Sequence, residues 1–439
     1  MEPTTVIGIS VALMLVLILL EMPLAFAIGL AACAGLVLLN GWPTLFYSLG
    51  SFPVSRIANY TWASLPLYVL LGNLVAASGV GADAYDMANK WFGKLRGGLY
   101  IASITASGMI AATTGGATTS IAIMGKVALP EMERLGYNRS LASGAIAACG
   151  PLGTLIPPSM AFILIGILAE VSIGKLFIAG IIPGILSVVI FCAMVYIKCL
   201  VNPKLAPKGV GFSWKERFIS LYKSWGVILI FVLIIGGLYT GIATPTEVAA
   251  LGCLVGFIMV ILAIPSGRSS WQALWDAVIQ SIGISAIIFV FFIGAGVFSL
   301  LITLSGVVTN LVAFIQGMGL PVMVVVIIFT ISYLVLEIFF DPSSLMMVTI
   351  PIFYPILVDG LGVDPIWFSV ITVIMVEISG LTPPVGMSVF VMHAVYPSVS
   401  VGEIYRGAWW FIAMNIVVVI LLFIFPQLAT WLPSLMWGG

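Results

Sequence analysis

The same ordered set of landmarks occurs twice along this 439-residue chain. A Pro, a Leu-Gly pair, a Gly followed by Pro-Pro and a Ser-x-Gly triplet occupy residues 130–174 and recur at 355–402, 225 to 228 positions later. An earlier triplet, Ser78-Gly79-Val80, recurs as Ser305-Gly306-Val307. The chain is therefore a tandem duplication in which each copy carries Pro-Pro inside an apolar stretch. Broken hydrophobic segments at corresponding places in two halves indicate a substrate and ion site within a membrane.

The composition places both copies in a lipid bilayer. Hydrophobic residues make up 62% of the chain and charged residues 7%, against roughly 45–50% and about 25% in soluble domains. With 16 basic and 16 acidic residues, the net charge gives no indication of a nucleic-acid partner. No nucleotide-binding or hydrolase motif is present, and a carboxylate pair of Asp341 and Glu377 is the one enzymatic arrangement that remains. We therefore predict that the protein is not an enzyme.

Each copy contains five stretches long enough to span a bilayer, which takes about 20 mostly apolar residues. A longer apolar segment lies between the third and fourth stretch of each copy, and polar tip residues interrupt it. Each arm rises about 1.5 Å per residue, which is enough to reach the middle of a ~30 Å core and return, so we predict two re-entrant hairpins. The predicted spans are 5–20, 23–40, 61–78, 140–170 and 176–200, then 225–242, 246–264, 281–303, 366–397 and 405–430.

The predicted fold class is an all-α polytopic membrane protein made of two inverted-topology repeats, residues 1–205 and 206–439. In each repeat, scaffold helices accompany one re-entrant hairpin and one broken helix. The first repeat has scaffold helices in 1–80 and 176–205, a hairpin at about 97–132 and a broken helix at 140–170. The second has scaffold helices in 212–303 and 405–430, a hairpin at about 321–357 and a broken helix at 366–397.

The distribution of basic residues tests the inverted topology. An odd number of spans in the first copy inserts the second copy upside down, and basic residues favour the cytoplasmic side. With both termini in the periplasm, nearly all Lys and Arg clusters fall in the cytoplasm, and Arg56 and Lys175 are the exceptions. Segments 212–226 and 270–282 combine aromatic anchors with polar residues, which is typical of helices in the headgroup layer.

Four breaks at mid-membrane depth carry the predicted chemistry: the two hairpin tips and the two Pro-Pro loops. Unpaired backbone groups survive in hydrocarbon only where protein or a bound solute satisfies them, and Pro frees the carbonyl one turn earlier. Carbonyl and hydroxyl oxygens are hard ligands, and no cage of carboxylates for a divalent ion is present. The pattern therefore favours sodium.

The second arm of each hairpin begins at its tip, so its N-terminal dipole points into the membrane and attracts anions. Thr118 and Ser120 in the first hairpin, and Ser343 and Ser344 in the second, are candidate donors to a substrate carboxylate. Asp341 is an ionisable group at a tip, which is costly unless paired. It has two interpretations, a helix N-cap before Pro342 or a cap that also couples to a cation or substrate.

Other ionisable residues in apolar stretches have simpler explanations. Glu247 follows Thr-Pro-Thr and suits the first turn of a helix. Glu337 and Glu377 flank the breaks and either assist a cation or proton, or pack against a buried Lys126 or a backbone donor. His393 is solitary, so we expect an imidazole that is satisfied by its surroundings.

At these residues the chain resembles the large membrane subunit of tripartite ATP-independent periplasmic (TRAP) transporters, of the DctM and SiaM type. The resemblance covers nearly the whole length. The first tip, residues 112–118, departs from the Ser-Gly-Ser-rich tip common in dicarboxylate members and is more similar to the sialic-acid branch. The motifs that carry the resemblance are Ile156-Pro157-Pro158-Ser159, Phe340-Asp341-Pro342, Ile350-Pro351-Ile352-Phe353-Tyr354-Pro355, Val363-Asp364-Pro365-Ile366-Trp367-Phe368 and Leu381-Thr382-Pro383-Pro384-Val385-Gly386.

The resemblance implies a sodium-coupled symporter of the bacterial inner membrane with an elevator mechanism. Its partners would be a separate small four-helix membrane subunit (Q type) and a periplasmic substrate-binding protein (P type). Carried over position by position, one sodium site uses the first tip and loop, and the other uses the second tip and loop, with a small carboxylate substrate between them. The sodium candidates are Thr113, Thr114, Gly116, Gly153, Leu155 and Pro158, then Asp341, Gly380, Thr382 and Pro384. The substrate candidates are Thr118, Ser120, Ser159, Asp341, Ser343, Ser344 and Met387.

Two alternatives to this function remain open from the sequence. One is a stand-alone divalent-anion symporter with sodium, which needs no binding protein. The other is a passive anion channel, although hairpins that stop at mid-membrane argue against a continuous pore. Within the resemblance, sialic acid is favoured over a C4-dicarboxylate as the substrate.

Overall fold

The computed structural model describes residues 2–57, 60–337, 340–384 and 386–436, with the main chain alone for 51–57 and 61. All regular structure in these ranges is helical. The first half contains α1 (Pro3–Leu19), α2 (Leu24–Asn40), α3 (Trp42–Ile57), α4 (Ser64–Ala77), α5 (Val80–Phe92), α6 (Gly98–Thr114), α7 (Ala117–Arg134), α8 (Arg139–Cys149), α9 (Leu152–Leu155), α10 (Met160–Leu168) and α11 (Ile173–Val201). The second half contains α12 (Trp214–Lys223), α13 (Trp225–Tyr239), α14 (Pro245–Ala263), α15 (Trp271–Ser305), α16 (Val307–Gly317), α17 (Val322–Leu336), α18 (Pro342–Tyr354), α19 (Pro365–Ser379), α20 (Met387–Val395), α21 (Val401–Ile424) and α22 (Gln427–Ser434).

Length and apolarity make this a multi-pass membrane protein. Among the described residues, six helical stretches are long and apolar enough to cross a bilayer, and two bent pairs raise the number to eight. The bent pairs are α4 with α5, at 70°, and α12 with α13, at 61°. Further apolar helices of 10–17 residues, among them α1, α2 and α6, accompany these spans.

Both predicted hairpins are present. The first consists of α6 and α7, joined at Gly115 and Gly116, and Gly115 adopts a φ of 62° that favours glycine. The second consists of α17 and α18, and a π-helical turn at Pro355–Gly360 extends it beyond its predicted end. Residues 338–339 of this hairpin lie outside the described residues. Each second arm begins at its tip, as the sequence predicted.

Both predicted broken helices are also present. The first is divided into α8, α9 and α10, with the chain leaving helical geometry at Ile156 and re-entering it after Ser159. The second is divided into α19 and α20, with residues 380–386 between them, of which 385 lies outside the described residues. Both Pro-Pro peptide bonds are cis.

The helices pack in two groups. α1, α2, α4, α14 and α15 pack on one another, and we call this group the scaffold. The hairpins and broken helices form the second group, here called the core group. The prediction placed α11 and α21 in the scaffold, but α21 packs mainly on α8, and α11 packs mainly on α22, α6, α19 and α21. The α8–α21 crossing is close because small residues meet there, since a Cβ on Gly407 would lie 1.9 Å from the Ser140 carbonyl oxygen.

Three helical segments differ from expectation. The segments 80–92 and 307–317 carried no prediction, and the structure forms α5 and α16 there, each after a glycine with positive φ, Gly79 and Gly306. The segment 270–282 is not a separate interfacial helix, because it continues without a break into a 35-residue α15. At about 1.5 Å per residue, α15 exceeds a ~30 Å core, so its amino-terminal part extends beyond the core.

Candidate functional site

A cavity of ≈ 340 Å³ lies where the four breaks meet the scaffold. Its walls come from both hairpin tips, both broken helices and the scaffold helices α4 and α15. The volume is at the lower end of the range for small-molecule sites, about 300–1,000 Å³. A small organic molecule is therefore the size of ligand that this cavity accommodates.

Seven residues singled out from the sequence line this cavity. Two repeat-related positions stand out, because Thr118 is the second residue of α7 and Ser343 is the second residue of α18, and both side chains are exposed. The inverted repeat therefore brings two hydroxyls at helix N-termini to one cavity. The seven residues are Thr114, Gly116, Thr118, Asp341, Ser343, Gly380 and Met387.

Asp341 caps the second tip. Its Oδ2 accepts hydrogen bonds from the backbone N–H groups of Ser343 (3.1 Å) and Ser344 (3.3 Å), and its Oδ1 accepts from the Ser344 hydroxyl. Pro342 follows at the first helical position, where a missing N–H has no cost. Asp341 is thus an N-cap, which both interpretations require, and it also lines the cavity.

The first tip has no such cap. Gly116 occupies the N-cap of α7 and offers no side chain, and no side chain among the described residues caps the first amides of the helix. The positive end of the α7 dipole is therefore open, whereas that of α18 is already faced by a carboxylate. The two tips are related by the repeat but differ in electrostatic character.

The first tip packs directly against the first broken helix. A Cβ built on Gly115 would lie 2.7 Å from the carbonyl oxygen of Pro158, and one built on Gly153 would lie 3.1 Å from the Ala111 Cβ. At Gly115 the short distance to a backbone oxygen and the positive φ require glycine, and at Gly153 a side chain would be tightly packed. By contrast, the carbonyl of Leu155 lies against Gly180 of α11, so Pro158, rather than Leu155, presents its oxygen to the tip.

The remaining candidates are not among the residues that line the cavity. The Ser120 hydroxyl donates to the Ser107 carbonyl (3.4 Å), and Ser159 caps α10 by accepting from the Phe162 N–H (3.1 Å). Ser344 is buried in the Asp341 cap, and the Thr113 hydroxyl donates to Ile110. In the second loop, the Thr382 hydroxyl donates to the Ile378 carbonyl (2.9 Å) and Pro384 is exposed.

The lining residues that sequence reasoning did not assign to the site include Gly72 and Asn73 from α4 and Ser388 from α20. A Cβ on Gly72 would lie 2.3 Å from the Thr114 carbonyl oxygen, which brings the scaffold into direct contact with the first tip. Asn73 had one usable signal, a lone amide within the apolar run of α4.

The other ionisable residues have varied outcomes. Glu247 forms a capping box with Thr244, as predicted, and His393 Nδ1 lies 2.7 Å from the Val399 carbonyl oxygen. Glu337 and Glu377 are 3% and 1% exposed, and their carboxyl oxygens have no hydrogen-bond partner among the described residues. Lys126 is exposed, so it is not the buried partner considered for these two acids.

Two copies of a hairpin and a broken helix that converge on one cavity define a membrane transporter, and comparisons with known proteins agree. The chain belongs to the family described as "Tripartite ATP-independent periplasmic transporter, DctM component", which matches residues 11–428. It is therefore a large permease of the TRAP type, a multi-pass inner-membrane protein that takes part in substrate uptake, and it is not an enzyme.

Characterised relatives differ in their substrates. The C4-dicarboxylate TRAP transporter large permease protein DctM of Pseudomonas aeruginosa is 32% identical over 87% of this chain and 87% of its own length. The sialic acid large permease SiaM of Vibrio cholerae is 27% identical over 95% of this chain and 96% of its own length. The crystal structure of the Alcanivorax borkumensis YdaH transporter has the same fold, with a TM-score of 0.62 and 14% identity over 88% of this chain and 89% of that one.

Proposed function

We propose that this permease catalyses sodium-coupled uptake of a small organic acid that a periplasmic binding protein delivers. The observation that carries the proposal is the convergence of Thr118 and Ser343, the second residues of two opposed helices, in one cavity. Helix N-termini with free hydroxyls bind anions. The cavity lies beside both Pro-Pro loops, whose freed carbonyls suit a hard cation.

The two tips have different roles in this proposal. The open N-terminus of α7, with Thr118, takes the substrate carboxylate. The Asp341 carboxylate, at the second tip, attracts a cation, and with Gly380 and Thr382 it forms one sodium site. The first tip and the Pro158 carbonyl form the other sodium site, because Gly115 and Gly153 allow the first hairpin to contact the first broken helix.

We propose sialic acid, rather than a C4-dicarboxylate, as the first substrate to test. The support is the composition of the first tip, Thr113 to Thr119, which lacks the Ser-Gly-Ser pattern common in dicarboxylate members. The single open helix N-terminus also suits a ligand with one carboxylate.

Movement of the core group against the scaffold, an elevator mechanism, fits the packing. Of the cavity-lining residues, Val69, Gly72, Asn73, Ile284 and Ile288 belong to the scaffold, and all but Asn73 lack polar side chains. A smooth apolar surface allows the core group to slide. A separate small membrane subunit would dock on exposed aromatic residues, Trp271 and Trp275 of the scaffold helix α15 and Trp214 and Phe218 of α12.

Charge supplies the driving force. One elementary charge that crosses 100 mV gains about 2.3 kcal/mol. Two or more sodium ions with one carboxylate carry net positive charge inward, so the membrane potential and the sodium gradient both favour accumulation.

Uptake into proteoliposomes tests the proposal. The permease is reconstituted with its small subunit and binding protein, and labelled sialic acid is followed with an inward sodium gradient or with potassium in its place. We expect accumulation only with sodium, and a faster rate with a negative interior. Accumulation without the binding protein would indicate a stand-alone symporter, and equilibration without sodium would indicate a channel; either result contradicts the proposal.

A further inference from the structure

Asn73 is the polar side chain that the scaffold presents to the cavity. The other scaffold residues at the cavity wall are Val69, Gly72, Ile284 and Ile288. A buried or half-buried amide in an apolar surface costs free energy unless its N–H and C=O groups form hydrogen bonds. The orientation of this amide therefore indicates what it binds.

The Ser281 hydroxyl of α15 fixes that orientation. Ser281 is buried, and its hydroxyl donates to the Ala277 carbonyl one turn earlier (2.6 Å). Because its one hydrogen is engaged there, it accepts from Asn73, whose Nδ2 lies 2.8 Å away. Ser281 does not line the cavity. The Asn73 Oδ1 thus remains as an acceptor with no partner among the described residues.

Two parts of the cavity wall therefore differ in hydrogen-bonding character. The α7 tip offers donors, since its first amides have no side-chain cap. The scaffold offers an acceptor, the Asn73 Oδ1. A ligand that satisfies both parts of the wall has an acceptor for the α7 amides and a separate donor for the Asn73 Oδ1.

We propose that Asn73 is a specificity residue that selects organic acids with a hydroxyl or N–H group in addition to their carboxylate. An acid with a second carboxylate in place of that donor would set acceptor against acceptor at Asn73, because an ionised carboxylate cannot donate. Asp341 does not make this distinction, since sodium neutralises its charge in the proposed cycle. The inference rests on the proposed function and narrows its substrate class.

Direct binding to the permease with its small subunit tests the inference without the selectivity of the binding protein. Two probes are compared in sodium and in potassium, sialic acid with several donors and succinate with two carboxylates, by ligand-induced thermal stabilisation. Wild type is expected to bind sialic acid in sodium. Succinate should bind at least about tenfold more weakly, because it leaves the Asn73 Oδ1 without a hydrogen-bond donor. Asn73→Leu is expected to lose at least about tenfold in affinity for sialic acid, with no loss for succinate.

Two further variants make the result specific. Asn310→Leu alters an exposed amide on α16, outside the cavity, and is expected to match wild type. Ser281→Ala releases the Asn73 amide, which can then turn its N–H toward the cavity, so binding of succinate should strengthen relative to sialic acid. Ser281→Ala also decides the question if Asn73→Leu does not fold.

Two kinds of failure are distinguishable. Equal affinity of wild type for both probes, or an unchanged ratio in the variants, would overturn the role of Asn73 and leave sodium-coupled uptake standing. Absence of sodium-dependent binding for both probes would contradict the proposed function, and the specificity role with it.

Discussion

In the proposed function, side chains at the two hairpin tips have different roles: the first tip binds the substrate carboxylate, and the second tip attracts a cation. Thr118 and Ser343 could be recognised from the sequence because Gly, Asp and Pro mark where their helices begin. Ser120 lies two residues after Thr118 and therefore on another face of α7, and the sequence did not indicate which of the two faces meets the cavity. Asn73 was missed for a related reason, because an apolar run does not reveal which face of α4 meets a cavity.

The charge of Asp341 can be tested apart from its capping role. Asn caps helices about as well as Asp, so Asp341→Asn should leave thermal stability nearly unchanged. We expect sodium-driven uptake to fall at least about tenfold, since the electrostatic attraction for a cation is lost. Uptake in proteoliposomes and thermal unfolding measure the two effects.

Asp364 provides a matched control. It caps α19 through the Ile366 and Trp367 N–H groups and also precedes a proline, but it does not line the cavity. Asp364→Asn should therefore retain both stability and uptake. Equal losses in the two variants would show that the cap, rather than the charge at the site, is responsible.

Helices and their contacts set the geometry that these side chains use. The hairpins and breaks followed from the repeat, because Pro-Pro and Gly-rich tips interrupt long apolar runs at matching positions. The grouping of α11 and α21 did not follow, since an apolar helix has the same composition whichever neighbour it packs on. What fixes α21 on α8 is the meeting of glycines, which only the structure reveals.

The α8–α21 crossing should be intolerant of one added methyl group. A Cβ on Gly407 would lie 1.9 Å from a backbone oxygen, and relieving this clash requires one of the two helices to move. Gly407→Ala should destabilise the protein by on the order of 1–3 kcal/mol, as measured by thermal or denaturant unfolding. Gly402→Ala, on the same helix with no atom within 4 Å, should be neutral or slightly stabilising. A neutral Gly407→Ala would contradict this packing.

The contact between the scaffold and the first tip offers a test of their relative movement. A methyl group at Gly72 meets the Thr114 carbonyl, so Gly72→Ala should disfavour the state described here. We expect uptake to fall about tenfold or more, which corresponds to about 1.4 kcal/mol, while the protein remains folded. Gly236→Ala, in α13 with open space around it, is the control. Normal uptake in Gly72→Ala would show that the contact has no part in transport.

At the scale of the whole molecule, the duplication makes the site. One copy supplies an open helix terminus and the other a capped, acidic one, and neither half forms the cavity alone. Family membership could be predicted from the motifs, because they cover nearly the whole chain. The substrate could not, since relatives of similar identity differ in the substrates that their names give.

The predicted orientation, with both termini in the periplasm, is testable by reporter fusions. Alkaline phosphatase is active only in the periplasm, so a fusion after Met436 should be active and one after Lys208 should be inactive. The positive-inside rule is the physical reason, because the connector around Lys208 carries many of the basic residues. The opposite pattern of activities would reverse the topology.

The central claim is that sodium binds where each tip meets its Pro-Pro loop. Hydrogen–deuterium exchange of the permease with its small subunit, in sodium and in potassium, tests it most directly. The account predicts sodium-dependent protection of peptides that contain 113–119, 153–158, 340–344 and 380–384, with no change in α1, α2 or α13. Equal exchange of all four peptides in the two salts would contradict it.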